Sequence, residues 1–313
     1  MASATLLGTP VTAARRLVWL SALCASAAAA EPYYVIVSGL GGEPRYEERF
    51  AQQAQALAEA ARRTAGSEDQ VQVLIGEEAT QQNLREAFGR LAETVGSTDT
   101  LIVFLIGHGT FDGDHYKLNL PGPDISGDEL GELIASVPTS AQLIMNATSA
   151  SGAVLESWTA DGRTVITATR SGNERNATRF AEHFTAALSS DEADLDKNGL
   201  VSAQEAFDFA ARKVADSYEA EGMLATEHPQ IAGDGAQRFT VARLTARPTQ
   251  TPELEALSSR MAEIEGELEA LRQRRDQMES DAYLNELQAL LLQLATVQQE
   301  IDRAQANLES TED

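Results

Sequence analysis

The sequence predicts an α/β fold, a mainly parallel sheet with helices on both faces, followed by a C-terminal antiparallel helical hairpin or coiled coil. Three observations carry this. Short apolar runs rich in β-branched residues recur along the chain, without the polar alternation of a solvent-facing sheet. Between them lie stretches whose apolar residues return at helical spacing. Beyond Glu253 the strand-like runs stop and a repeat of apolar residues spaced 3 and 4 takes over. Strand–helix alternation of this kind builds parallel sheets covered on both sides.

Residues 33–38 (YYVIVS) form the first buried strand, and Gly39-Leu40-Gly41-Gly42 a turn. Residues 45–64 form a helix with Phe50, Leu57 and Ala61 on one face. A second strand spans 71–75, and a second helix 80–95 carries Leu84, Phe88 and Leu91. Residues 100–106 (TLIVFLI) are apolar almost throughout, which suits a central strand. Residues 116–120 alternate like a hairpin arm. In the helix at 126–135, Ser126 stands at the N-cap and Glu129 in capping-box position. A fourth strand includes 143–145 and a fifth spans 163–168. Helices at 176–188 and 203–220 complete a domain of residues 31–246, and 247–252 are a linker.

In 253–313, Leu254, Leu257, Met261, Ile264, Leu268 and Leu271 keep the alternating spacing. So do Leu287, Leu290, Leu294, Val297, Ile301, Ala304 and Leu308, but residues 276–283 put the two frames out of register. Either one long helix stutters there or two helices fold back on each other. Glu279-Ser280-Asp281 is a plausible stop and re-cap, which favours the hairpin. Such an arm suits a homo-oligomer or partner contact through 253–313, or else packs on its own domain.

The chain of 313 residues carries 48 acidic against 24 basic residues, a formal charge of −24. Phosphate backbones and anionic lipid would repel it, which argues against nucleic-acid partners and docking on such membranes. Residues 1–30 contain no acid; Arg15 and Arg16 precede an apolar run that ends in four alanines. That is the pattern of a secretory signal peptide cleaved after about Ala30. Its apolar run is shorter than the roughly 20 residues of a bilayer span, so an uncleaved anchor is the lesser alternative. The expectation is a secreted or periplasmic protein with no stable membrane insertion after processing. The one cysteine, Cys24, would leave with the leader, so the remaining chain has neither thiol nor disulfide.

The sharpest local motif is 194–205, DLDKNGLVSAQE, which matches an EF-hand-type calcium loop at each diagnostic position. Asp194, Asp196 and Asn198 would supply side-chain oxygens and Leu200 its carbonyl. Ser202 would coordinate directly or through water, and Glu205 would be bidentate. Gly199 allows the turn and Val201 anchors the loop. Hard oxygen donors of this kind suit Ca2+. A metal-free acidic loop is the alternative.

A second constellation is spread out. The third strand ends in Gly107-His108-Gly109, and the fourth runs into Asn146-Ala147-Thr148-Ser149-Ala150-Ser151-Gly152. Both lie at carboxyl ends of parallel strands, where open α/β sheets place their sites. A histidine between glycines can turn toward a substrate as a base, or simply cap a strand end. Gly39-x-Gly41-Gly42 falls short of a dinucleotide fingerprint, because no acidic residue closes the second strand at the right point. His115, His183 and His228 have no ligand spacing with one another.

This layout resembles the caspase–legumain–metacaspase group of peptidases, most closely the legumain-type family. There a strand ends in His-Gly, the catalytic base, and the next core strand ends in Ala-Cys-x-Ser-Gly, with Cys as nucleophile. Ile106-Gly107-His108-Gly109 matches the first segment. Thr148-Ser149-Ala150-Ser151-Gly152 matches the second, with Ser149 at the cysteine position. Val37-Ser38-Gly39 followed by Tyr46 and Arg49 resembles the family's first strand and helix start. The resemblance implies a caspase-like sheet, and peptide hydrolysis by Ser149 with His108 as base and the Gly109 and Ser149 amides as oxyanion donors. It offers Arg49 as a basic residue for the substrate side chain; a solvated helix arginine beside Glu47 and Glu48 is the alternative. Serine in place of cysteine departs from the family. A thiol ionises near neutral pH, whereas a hydroxyl needs its base in direct hydrogen-bond contact. The expectation is therefore a peptidase-like hydrolase or a degenerate pseudopeptidase with one bound calcium, acting on a peptide or protein. The alternative is a non-enzymatic calcium-binding scaffold that uses the helical arm.

Overall fold

Burial of opposite strand faces against two sets of helices organises the domain. The computed structural model describes residues 30–244, 252–275 and 278–312; the expected leader up to residue 29 and the linker up to Thr251 lie outside them. The chain runs β1 (Pro32–Ser38), α1 (Pro44–Thr64), β2 (Val71–Ile75), α2 (Gln81–Thr94) and β3 (Thr100–Ile106). A small meander follows, β4 (Gly109–Phe111), β5 (Tyr116–Leu118) and β6 (Ile125–Ser126), then α3 (Gly127–Ala135) and β7 (Ala141–Asn146). Next come α4 (Leu155–Trp158), β8 (Arg163–Thr167), α5 (Phe180–Ala187), β9 (Leu200–Ser202) and α6 (Ala203–Ala220). The domain closes with β10 (Gln230–Ala232) and β11 (Thr240–Arg243), and the arm is α7 (Pro252–Gln273) and α8 (Ser280–Glu312).

The central sheet has the order β10-β8-β7-β3-β1-β2 and is parallel except for β10. Successive side chains on a strand point to opposite faces. Tyr34, Ile36, Ile102, Phe104 and Ile106 therefore pack with α1, α5 and α6 residues such as Leu57, Phe184 and Phe209. Val35, Val37, Leu101, Val103 and Leu105 pack on the other side with Leu84, Phe88, Leu130 and Trp158 from α2, α3 and α4. Both faces being dry explains the unbroken apolar runs of β1 and β3.

Differences from the sequence reading have local causes. The helix expected from 176 begins at Phe180 instead. There Glu227, 48 residues further on, accepts the Arg179 N–H with both carboxylate oxygens (2.8 and 3.0 Å), and the Phe180 N–H as well (3.3 Å). The strand expected at 116–120 shortens to β5 and sits between β4 and β6. Helix α3 keeps its Ser126 N-cap, whose hydroxyl accepts the Glu129 N–H at 3.1 Å.

In the arm, Leu254 clusters with Ile301 and Ala304, and Arg260 pairs with Glu300. At the other end Leu271 lies beside Ala289 and Leu290. Helices α7 and α8 thus run antiparallel. No helix among the described residues is long and apolar enough to cross a membrane.

Candidate functional site

The strand order reverses between β1 and β3: β2 lies outside β1, while β7 and β8 continue on the far side of β3. Loops leaving the carboxyl ends of strands at such a switch point enclose the usual ligand crevice. Three of them meet here. Gly39 and Leu40 follow β1 and donate their N–H groups to the carbonyls of Ile106 (2.8 Å) and Asn119 (2.9 Å). His108 follows β3, and its carbonyl accepts the Asn119 N–H at 3.0 Å. Ser149 follows β7, which pairs in parallel with β3.

The loops that carry His108 and Ser149 approach each other at Gly109. A Cβ there would run into the Ser149 carbonyl and stand 2.5 Å from the Tyr116 ring and 2.8 Å from Thr148 Oγ1. Only a residue without a side chain lets the two loops close to this extent.

The His108 imidazole is half-buried. It stands edge-on to the rings of Tyr46 and Phe50, with centroids 4.9 and 5.1 Å away. The Gly41 carbonyl lies near the ring and favours its protonated form. Burial lowers its pKa first and the Arg49 guanidinium second; Gly41, Glu43 and Glu47 oppose them without reversing the shift. The imidazole is therefore kept neutral.

Arg49 is neither freely solvated nor deeply engaged. Its guanidinium lies over Tyr46 (5.0 Å) and Phe50 (5.3 Å), and one terminal nitrogen donates to the Thr178 carbonyl at 3.4 Å. Its Nε is buried with no hydrogen-bond partner. The side chain thus reaches the neighbourhood of His108.

Ser149 is 2 % exposed. Among the described residues neither its hydroxyl nor its N–H makes a hydrogen bond, so Ser149 Oγ and the His108 ring are not bonded to each other. Its position is set from behind. Thr148 Oγ1 lies 2.6 Å from the Tyr116 hydroxyl and donates to Asn146 Oδ1 at 2.8 Å. Burial pushes the Tyr116 phenol up to about 12. In front, Ala150 takes the left-handed conformation (φ 58°), and its N–H donates to the Glu174 carbonyl at 2.7 Å. A non-glycine residue held there marks a turn determined by its surroundings.

The glycine turn after β1 is occupied from within. The Gly41 and Gly42 N–H groups donate to Glu47 Oε1 at 2.9 and 3.1 Å, so this chain's own carboxylate fills the place an anion would take.

Phe50, Tyr116 and Glu174 belong to this neighbourhood without having been expected there; the resemblance had pointed to Tyr46, and Asn146 opened the segment read from the fourth strand. One signal existed for Tyr116, the hairpin alternation directly after the histidine.

The second constellation lies in the loop between α5 and α6. Oxygens of Asp194, Asp196 and Glu205 all fall within 4.8 Å of one another. That span is about twice a Ca–O distance of roughly 2.4 Å. The turn is completed by Gly199 at φ 77° and by N–H donation from Asn198 and Gly199 to Asp194. Asn198 Oδ1 accepts the Leu200 N–H at 2.7 Å. Ser202 caps α6, and Glu205 folds back onto the Ser202 N–H (2.9 Å), Ser202 Oγ (2.8 Å) and the Leu195 N–H (2.9 Å). Val201 is fully buried, and β9 pairs antiparallel with β11. Three carboxylates so close repel one another, and a divalent cation would relieve this; the donor set fits Ca2+.

No family model matches the chain, and no curated relative matches it. Among solved structures it is similar to a crystal structure of a protein from Geobacter sulfurreducens, at 15 % identity and a TM-score of 0.47, over 69 % of this chain and 99 % of that one. It is similar to pro-sf-caspase-1 at 13 % identity and a TM-score of 0.43, over 65 % of this chain and 91 % of that one. The Drosophila initiator caspase Dronc follows, at 10 % identity and a TM-score of 0.38, over 66 % of this chain and 80 % of that one. The chain itself has a mixed α/β fold, its mainly parallel central sheet flanked by helices.

Proposed function

We propose that this is an exported, legumain- or caspase-like peptidase-fold protein whose His108–Ser149 site holds a peptide without cleaving it, with calcium in the 194–205 loop as a brace. One observation carries the first part: the Ser149 hydroxyl and the His108 ring share no hydrogen bond. A thiolate tolerates separation from its base because it is already ionised; an alcohol must hand its proton over directly. The groups that would receive a peptide remain: the unpaired Ser149 N–H as a donor, the neutral imidazole, and Arg49 for an anionic or amide side chain. Residues 1–30 support export through their leader pattern.

For calcium, the support is the convergence of Asp194, Asp196 and Glu205 together with the loop spacing. Asn198, Leu200 and Ser202 would complete the shell. The ion would tie the start of α6 to the loop by neutralising the carboxylates; it has no part in chemistry at His108.

A fluorophosphonate probe tests the site. The expected result is no labelling of the wild type beyond that of Ser149→Ala, and no cleavage of a peptide library. Ser149→Cys should then acquire iodoacetamide reactivity that falls when His108 is replaced by Ala. Labelling of the wild type that disappears in Ser149→Ala would overturn the reading and assign a working serine hydrolase. In that case Ser149 Oγ attacks the carbonyl, and its proton passes through His108 to the leaving amine.

A further inference from the structure

Glu227 and His228 lie between α6 and β10, outside any helix or strand. Glu227 is 2 % exposed, and a carboxylate is seldom buried that deeply without a partner to hold. Its oxygens take the N–H groups that open α5, those of Arg179 and Phe180. His228 donates its backbone N–H to Glu174 Oε2 at 3.1 Å, and its Nδ1 lies 2.6 Å from Glu174 Oε1. Two adjacent residues thus grip both ends of the loop 174–180. That loop in turn grips both flanks of Ser149. Its Glu174 carbonyl accepts the Ala150 N–H at 2.7 Å, and its Thr178 hydroxyl donates to the Ala147 carbonyl at 2.5 Å.

We infer that Glu227 and His228 are positioning residues for the Ser149 site: by clamping residues 174–180 they hold the unpaired Ser149 N–H where it would meet a peptide carbonyl. This rests on the reading of that site as a peptide holder. The left-handed turn at Ala150 is one its surroundings must impose, and the Glu174 carbonyl is the group bonded to it. Glu174 is itself immobilised: besides His228, its carboxylate takes the Arg170 N–H and Nε at 3.0 Å each. Charged groups face Glu227 from two sides. From α5 comes Arg179, whose guanidinium is held by Glu221 of α6 through two 2.7 Å contacts and lies over Tyr218 of α6. From the loop after β8 comes Glu174, with Arg170 and His228 on it. Burial pushes the Glu227 carboxyl up to about 7; the Arg179 and Phe180 N–H groups and the Arg179 charge oppose this, and Glu174 adds to it. A carboxyl whose pKa is raised in place grips best while neutral. Its contribution is full below the ordinary value of 4.5 and is lost as pH rises through about 7.

Proton–nitrogen magnetic resonance of the full chain tests this without any peptide, so its outcome is separate from that of the fluorophosphonate experiment. The reporters are the amides of Ala150 and of Thr148, whose nitrogen is bonded to the Ala147 carbonyl carbon. In the wild type both signals should shift in a step near neutral pH. Hydrogen exchange at Ala150, corrected for its ordinary base dependence, should lose protection above the step. Glu227→Gln, an uncharged side chain of the same shape, should abolish the step and keep the protection of the acidic side. A residue that merely fills space would change stability without removing a titration at residues 148 and 150. Amides that do not titrate near neutral pH in the wild type, or a Glu227→Gln chain that keeps the wild-type step, overturn the proposal. Should Glu227→Gln fail to fold, His228→Gln carries the test, because it leaves the buried carboxylate in place. It should shift the Ala150 amide through Glu174, and an unmoved Ala150 signal overturns the proposal.

Discussion

His108 sits in an environment that keeps its ring neutral: it is half-buried against two aromatic rings, and a guanidinium lies nearby. Its pKa lies below the ordinary imidazole value in the folded chain, so at mildly acidic pH the unfolded chain binds the proton that the fold rejects. Stability linked to this group is full above about pH 6.5 and declines as pH falls toward the folded value. Nitrogen-15 titration of the His108 ring should give a pKa below 6.5, and Arg49→Gln should move it upward by removing a positive charge beside the ring. A His108 midpoint above 6.5, or no movement in Arg49→Gln, would contradict this account. At this scale the sequence placed His108 and Ser149 in loops that leave neighbouring parallel strands, β3 and β7. It did not show what surrounds them. Tyr46 and Phe50 reach His108 from α1, and Gly41 from the loop before it, far earlier in the chain, and no local pattern announces such a contact.

Elements were legible in proportion to their length. β1, β3 and α1 carry enough apolar residues to display a period; β4, β6, β9, β10 and β11, two to four residues each, cannot. The start of α5 escaped for a different reason, since its N–H groups are satisfied by a carboxylate from a distant loop rather than by a neighbour in sequence. The 194–205 loop is the opposite case: its candidate oxygen donors and their spacing are local in sequence, and the fold brings three of them within 4.8 Å. A ligand that binds only the folded state stabilises it by about 2.7 kcal/mol at a hundredfold excess over Kd. For a domain of this size that corresponds to a rise of about 5–10 °C in Tm on adding calcium. Differential scanning fluorimetry with calcium and with EDTA should show such a rise in the wild type and its loss in Glu205→Gln. Equal shifts in both proteins would remove the site.

At the level of the whole molecule, the parallel direction of most strands followed from alternation with helices, and their two-sided burial followed from apolar runs without alternation. What alternation leaves open is the edge. β10 joins the sheet antiparallel to β8, a pairing decided by a return loop rather than by any periodicity. Net charge also acts at this scale. With 48 acidic side chains the compact state repels itself, and salt of about 0.15 M screens charges more than roughly 8 Å apart. Raising sodium chloride from about 10 mM to 0.15 M in the presence of EDTA should therefore raise Tm; a fall would show that attractive pairs dominate instead.

One junction ties these scales together. β11 is hydrogen bonded to β9, inside the acidic loop, and the Leu244 N–H, the last one described before the arm, donates to the Gly199 carbonyl at 2.9 Å. The polypeptide therefore leaves its globular body at the very turn where the carboxylates converge. Whatever tightens that turn moors the tail at its root, and chelation would turn the root into a cutting point. Limited proteolysis should thus release the helical tail sooner in EDTA than in calcium.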